Sequence, residues 1–188
     1  MITLELPDEK YKETFIRALA DYQAAPPDAC SYHYNAYNIK MVEKNFDSVV
    51  TMRKSIGEFD TRKYGGDPYK EFWIIDDGEY VGRVCIADKI TDKRMKDWGN
   101  IGFDVIPKMR EKGYAKAALK LALKKAAEMG LGEIKISCGE NNTGSRKTIE
   151  NVMELNNGRQ LKKYISPYDN EPSIMYLIPT TVNKRKNK

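Results

Sequence analysis

Apolar positions recur at helical spacing first between Asp8 and Gln23, where Tyr11, Phe15, Ala18, Leu19 and Tyr22 predict an amphipathic helix stopped by Pro26-Pro27. Residues 28–40 are rich in Tyr and Asn and show no clear period. Met41 to Ile56 again reads as a helix, with Gly57 as its C-cap, and Asp60 to Pro68, containing Gly65-Gly66, reads as a loop. Two β-rich runs follow, one from Glu71 to Asp76 and one from Tyr80 to Ala87, on either side of Asp77-Gly78. That pairing is a strong hairpin signal. Residues 89–98 carry mixed charge and predict a loop, and Asn100 to Ile106 predicts a strand ending at Pro107.

The clearest helix runs from Tyr114 to Met129. Ala115, Ala118, Leu119, Ala122, Ala126 and Met129 share one face, and Lys116, Lys120 and Lys124 lie on the other. Gly130 and Gly132 end it. A strand at 133–138, a helix at 142–154 and strands at 159–165 and 173–178 complete the chain. The order predicts an α/β fold around a mixed sheet, in which the strand–helix–strand crossover calls for local parallel pairing.

The chain has 188 residues, enough for one substantial core, with 41% hydrophobic and 31% charged residues. A single domain over 1–180 is the expectation, with 1–70 as a variable acceptor-side segment, 71–165 as the core and 181–188 as a basic tail. The acidic start and the lack of a long apolar run point to a cytoplasmic protein rather than a secreted or membrane-bound one. Cys30, Cys85 and Cys138 are scattered and odd in number, which suggests neither a disulfide framework nor a metal site. The net charge is +5, but Lys184, Arg185, Lys186 and Lys188 sit together at the end. The body is nearly neutral, so nucleic-acid binding is disfavoured.

Candidate chemistry concentrates between Val105 and Ala115, where a strand runs through a turn straight into the long helix. A helix start offers unpaired N–H groups and the positive end of the macrodipole to an anion. Gly113 removes a Cβ from the approach, Ala115 keeps the first turn slim, and Arg110 and Lys112 add positive charge. The stretch reads as a pyrophosphate cradle. It matches neither GxGxxG nor GxxxxGK[ST].

These residues resemble the GNAT N-acetyltransferase superfamily. Val105-Ile-Pro107 followed by Arg110-Glu111-Lys112-Gly113-Tyr114-Ala115 is similar to its acyl-CoA signature, and Asn142-Thr-Gly-Ser145 resembles its Asn-x-x-Ser/Ala helix start. The resemblance implies a splayed central sheet flanked by helices and acetyl-CoA as co-substrate. It implies cofactor contacts from Phe103, Asp104 and Val105 on the strand, from the turn residues, and from Asn142 and Ser145, which can equally be plain N-caps. It further implies direct attack of a primary amine on the thioester, with the Val105 N–H polarising the carbonyl. The acceptor would be a small-molecule or protein amine, and the chain a monomer or homodimer.

The candidate bases are Asp104, Glu71, Asp88 and Glu140, although each also reads as an ordinary surface carboxylate. The family places a Tyr on the second motif's helix to protonate the leaving thiolate, whereas this chain has Ile149 there, leaving Tyr164, Tyr114 or water. His33 lies outside the motifs, and Tyr32, Tyr34 and Tyr37 fit either packing or an amine pocket. No cluster has metal-ligand spacing. The alternatives are a non-catalytic acyl-CoA-binding module and a protein reaching nucleic acid or ribosomes through its basic tail.

Overall fold

The computed structural model describes residues 1–26, 34, 36–55, 68–90, 98–167 and 169–181. Cys30, Tyr32, His33, Gly57, the Gly65-Gly66 loop and the terminal lysines therefore lie outside the described residues. The chain divides into two compact units, one made of Met1–Cys85 with Phe103–Ala118, the other of Ile86–Gly102 with Leu119–Lys188.

The first unit is built on strands β1 (Ile2–Glu5), β2 (Lys70–Asp76), β3 (Glu79–Ile86) and β4 (Ile101–Val105), ordered β1-β2-β3-β4. β1 pairs antiparallel with β2, Leu4 opposite Ile74 and Glu5 opposite Trp73. The hairpin turn is Asp77-Gly78, with φ of 47° and 83°, the twist that suits a two-residue connection. Helices α1 (Lys12–Ala24), α2 (Ile39–Lys44) and α3 (Phe46–Ser55) belong to the same unit, and a 3₁₀ turn at Glu9–Tyr11, capped by Asp8, leads into α1. The helix predicted over 41–56 is broken at Asn45, whose backbone leaves the helical region at φ −121° and ψ 41° while its side-chain amide and its main-chain N–H both donate to the Met41 carbonyl.

The core of this unit is aromatic. Phe15 stacks on Trp73 with ring centroids 5.0 Å apart, Trp73 meets Tyr80 edge-on at 5.1 Å, and Tyr22 lies flat on Tyr34 at 3.9 Å. Trp73 and Tyr22 are fully buried. Each such pair contributes about 0.5–1.5 kcal/mol beyond its buried area.

The second unit centres on a three-stranded antiparallel sheet of β5 (Glu133–Gly139), β7 (Pro172–Pro179) and β6 (Arg159–Ile165), with β7 in the middle. Six consecutive residues of β7, Ser173 to Ile178, are buried, as a central strand requires. β6 is an edge strand with a register irregularity at Leu161 and nearly every residue exposed. Ile134 and Ile136 of β5 and Ile149 and Val152 of helix α5 (Thr143–Leu155) are buried in this unit.

Helix α4 (Tyr114–Glu128) follows β4, as its apolar face predicted, and Ala118, Leu119, Ala122 and Ala126 are buried. The crossover argument anticipates β4 and β5 side by side in one sheet. Instead β4 closes the first sheet and β5 begins the second, and the pairing recorded near them is a single bridge, Gly99 with Ile136. Asn100 explains why pairing starts there and goes no further: its main-chain N–H donates to the Lys135 carbonyl and its side-chain oxygen accepts from the Lys135 N–H. The side chain thus takes over a donor that would otherwise continue the ladder. No helix among the described residues is long and apolar enough to cross a membrane.

Candidate active site

Among the described residues β4 is an edge strand, so half of its main-chain groups have no neighbouring strand in its sheet. Which half follows from two bonds, Ile106 N–H to Val81 O and Ala87 N–H to Asn100 O, which set one antiparallel register and put Arg83 opposite Asp104. Alternate residues of a strand direct their N–H and C=O to opposite edges. Asp104 and Ile106 therefore face β3, while Phe103 and Val105 present their N–H groups to the open edge. Arg110 Nε donates to the Val105 carbonyl at 3.2 Å, so that oxygen is covered, and among the described residues the Val105 N–H meets no acceptor.

Past β4 the chain makes a 3₁₀ turn at Pro107–Met109, then an extended Arg110, a left-handed Glu111 with φ 63° and Gly113 with φ 86° before α4 begins. The first helical bond is donated by Ala117 to the Gly113 carbonyl. Among the described residues, no acceptor meets the N–H groups of residues 111 to 116. Glu111, Lys112 and Gly113 are exposed. A row of free N–H donors at the start of a 15-residue helix, open to solvent, fits linked phosphates. A Cβ on Gly113 would meet no protein atom within 4 Å, so within the chain itself it is the left-handed backbone that calls for glycine.

Tyr114, first residue of the helix, donates to Asp76 Oδ2 at 2.9 Å, an interaction that raises the phenol's pKa and lowers the carboxyl's. Lys108 is paired with Asp21, and Lys112 Nζ lies 3.8 Å from the Met109 sulfur. In the second unit Asn142 caps α5, its side-chain oxygen accepting from Ser145 N–H at 3.1 Å. That is the capping role the sequence allowed for these two residues.

The candidate bases fare unequally. Asp88 is exposed, and Glu140 is paired with Lys163. Asp104 and Glu71 are buried, 7% and 2% exposed, and joined in one network. Arg83 Nε donates to Asp104 Oδ2 at 2.7 Å and its NH1 to Glu71 Oε2 at 3.2 Å. Arg53 NH1 donates to both Glu71 oxygens, at 3.0 and 2.8 Å, and Trp73 Nε1 reaches Glu71 Oε1 at 3.0 Å. Asp104 Oδ1 accepts from Tyr22 at 2.6 Å and Tyr34 at 3.0 Å, and Tyr37 lies 2.6 Å from Arg53 NH2. Burial, then the Asp104 charge, pushes the Tyr22 and Tyr34 hydroxyls well above the usual phenol range, so both stay donors. The sequence offered Asp104 and Glu71 as candidate bases and did not single out Arg53 or Arg83, since these partners lie 12 to 21 positions apart. Tyr164 sits on β6 with Lys162 Nζ 4.9 Å from its ring centroid. Ile149, at 1% exposure, is a core residue. Among the described residues no group of His, Cys, Asp and Glu could hold a metal ion.

Residues 29–153 match the acetyltransferase (GNAT) family, and the chain belongs to it. It is an acetyl-CoA-dependent acyltransferase. Its fold is similar to that of Mycobacterium smegmatis RimJ in complex with CoA-disulfide, at 19% identity and a TM-score of 0.63 over 95% of this chain and 81% of that one. The microcin C7 self-immunity acetyltransferase MccE in complex with acetyl-CoA and AMP gives 17% identity and 0.62 over 95% and 92%. A GNAT-family acetyltransferase from Bacillus anthracis gives 20% and 0.58 over 95% of each chain. Among curated proteins none matches the sequence.

Proposed function

We propose that the protein transfers the acetyl group of acetyl-CoA directly to a primary amine, with the pyrophosphate held by the main chain of residues 110 to 115. The observation that carries this reading is the run of N–H donors from 111 to 116, exposed at 111 to 113 and set by left-handed backbone at 111 and 113. Phe103 offers its open-edge groups to the amide-bearing arm, and Val105 N–H is the donor for the oxygen that becomes anionic as the amine adds.

A primary amine is mostly protonated at neutral pH and must first lose a proton. Asp104 and Glu71 already accept from arginine, tyrosine or tryptophan donors on both oxygens. We therefore assign them to holding β4 and give the proton to water. The neutral nitrogen then bonds to the thioester carbon, the C–S bond breaks, and the departing sulfur takes up the second nitrogen proton as the amide forms. Asn142 and Ser145 as cofactor contacts come from the family resemblance, whereas Tyr164 as the acid stands in, beside Tyr114 or water, for the tyrosine that the family has where this chain has Ile149. The acceptor class is a small-molecule or protein amine.

Gly113→Val tests the cradle. The cavity around a Cβ is open, so the fold should survive, while a β-branched residue disfavours the left-handed backbone by about 1–2 kcal/mol. Isothermal calorimetry should show acetyl-CoA affinity weakened by about tenfold. An unchanged affinity would remove the cradle from this stretch.

A further inference from the structure

We propose that Arg83 is a positioning residue for acyl transfer: by gripping Asp104 and Glu71 together it locks β4 in the orientation that directs the Val105 N–H to the open edge. This deepens the reading above and rests on it. The Val105 N–H belongs to the same peptide plane as the Asp104 carbonyl, so whatever fixes Asp104 aims that donor.

Asp104 is held on three sides. Its side chain takes Arg83 from β3, Tyr22 from α1 and Tyr34. Its carbonyl is pressed against Gly82, where a Cβ would overlap the Asp104 oxygen and sit 3.0 Å from Val105 Cα. Arg83 in turn cannot drift, because its second nitrogen is on Glu71, which Arg53 and Trp73 hold, and its guanidinium lies 5.4 Å from the Tyr34 ring centroid.

Stability alone does not account for this arrangement. Buried ion pairs are often matched or bettered by apolar residues of similar volume, whereas their fixed geometry can impose one arrangement of the chain. Here the network ends on the one strand whose main chain faces the reacting carbonyl. A lysine at 83 has a single ammonium and lacks the planar fork that bridges two carboxylates.

The test compares wild type with Arg83→Lys and Arg83→Met. Thiol release from acetyl-CoA is followed with methylamine at high concentration as the amine, acetyl-CoA affinity by calorimetry, and, by NMR, hydrogen exchange of the Ile106 amide, which donates to Val81 and so reports how firmly β4 is held on β3. For Arg83→Lys, which keeps a positive charge beside the carboxylates and so should fold, the turnover rate should fall at least tenfold. Acetyl-CoA affinity should change less than threefold, and Ile106 amide exchange should quicken at least tenfold relative to the Ile75 amide in β2. Arg83→Met, where it folds, should lose more on both readouts. Unchanged Ile106 exchange in folded Arg83→Lys overturns the proposal without any need for turnover, as does a loss confined to acetyl-CoA affinity. Failure of wild type to bind acetyl-CoA instead overturns the cradle and leaves the exchange result to judge Arg83.

Discussion

Raising the pH from 8 to 11 should strip stability from this protein through the buried tyrosines. Tyr22, Tyr34 and Tyr80 all have phenols raised above their usual pKa, first by burial and then by the negative charge of Asp104. A group whose folded pKa lies above its unfolded value keeps its contribution at pH below the unfolded value and loses it as pH climbs towards the folded one. Above about pH 10 the unfolded chain releases these protons and the native chain does not, so it is the unfolded state that gains. With all three protonated in the native state at pH 11, each contributes a loss of about 1.4 kcal/mol, or roughly 4 kcal/mol together. Cys85 and Tyr69, both pushed up to about 12 by burial, act in the same direction. Urea titrations followed by the fluorescence of the buried Trp73 at pH 8 and pH 11 measure the difference. Tyr34→Phe should be less stable at pH 8, having lost its bond to Asp104, yet should lose about 1.4 kcal/mol less than wild type between the two pH values. An alkaline loss below about 1.4 kcal/mol in wild type, or one unaltered in Tyr34→Phe, would refute this account.

Gly82→Ala should destabilise the first unit by several kcal/mol, since the new methyl meets main-chain atoms of Asp104 and Val105 that cannot rotate away; a shift in thermal midpoint of under a degree would contradict it. Ile149→Tyr restores the family's tyrosine but puts a larger, polar ring in a closed core. It should cost about 1–3 kcal/mol and leave the rate of thiol release no higher; a faster rate would show that the position reaches the reacting sulfur.

The elements with strong local signals were legible: the hairpin from its Asp77-Gly78 turn, α4 from its alanine-faced helical period and β7 from its continuous apolar run. β1 was not, because Ile2–Glu5 is only four residues long and becomes a strand through its register with β2. Asn45 hid the break between α2 and α3, since a side-chain bond to the preceding turn leaves no mark on hydrophobic spacing. The strand, turn and helix start from Val105 to Ala115 could be read because they are contiguous in the chain. The Arg53–Glu71–Arg83–Asp104 network could not, because charge partners far apart in sequence are brought together only by strand pairing and helix packing. Tyr34 and Tyr37, which sequence left between packing and an amine pocket, are packed into that network.

The interleaving of the two units has a consequence for how the chain is made and cut. Residues 1–85 hold most of the first unit, but its closing strand and the counter-charge for Arg83 arrive only with residues 103–118, after a stretch that belongs to the other unit. A nascent chain can pair Arg83 with Glu71 early, but its second carboxylate comes only with Asp104. A fragment ended anywhere before that point leaves this arginine half-partnered beneath the aromatic core, so the first unit is incomplete in residues 1–85.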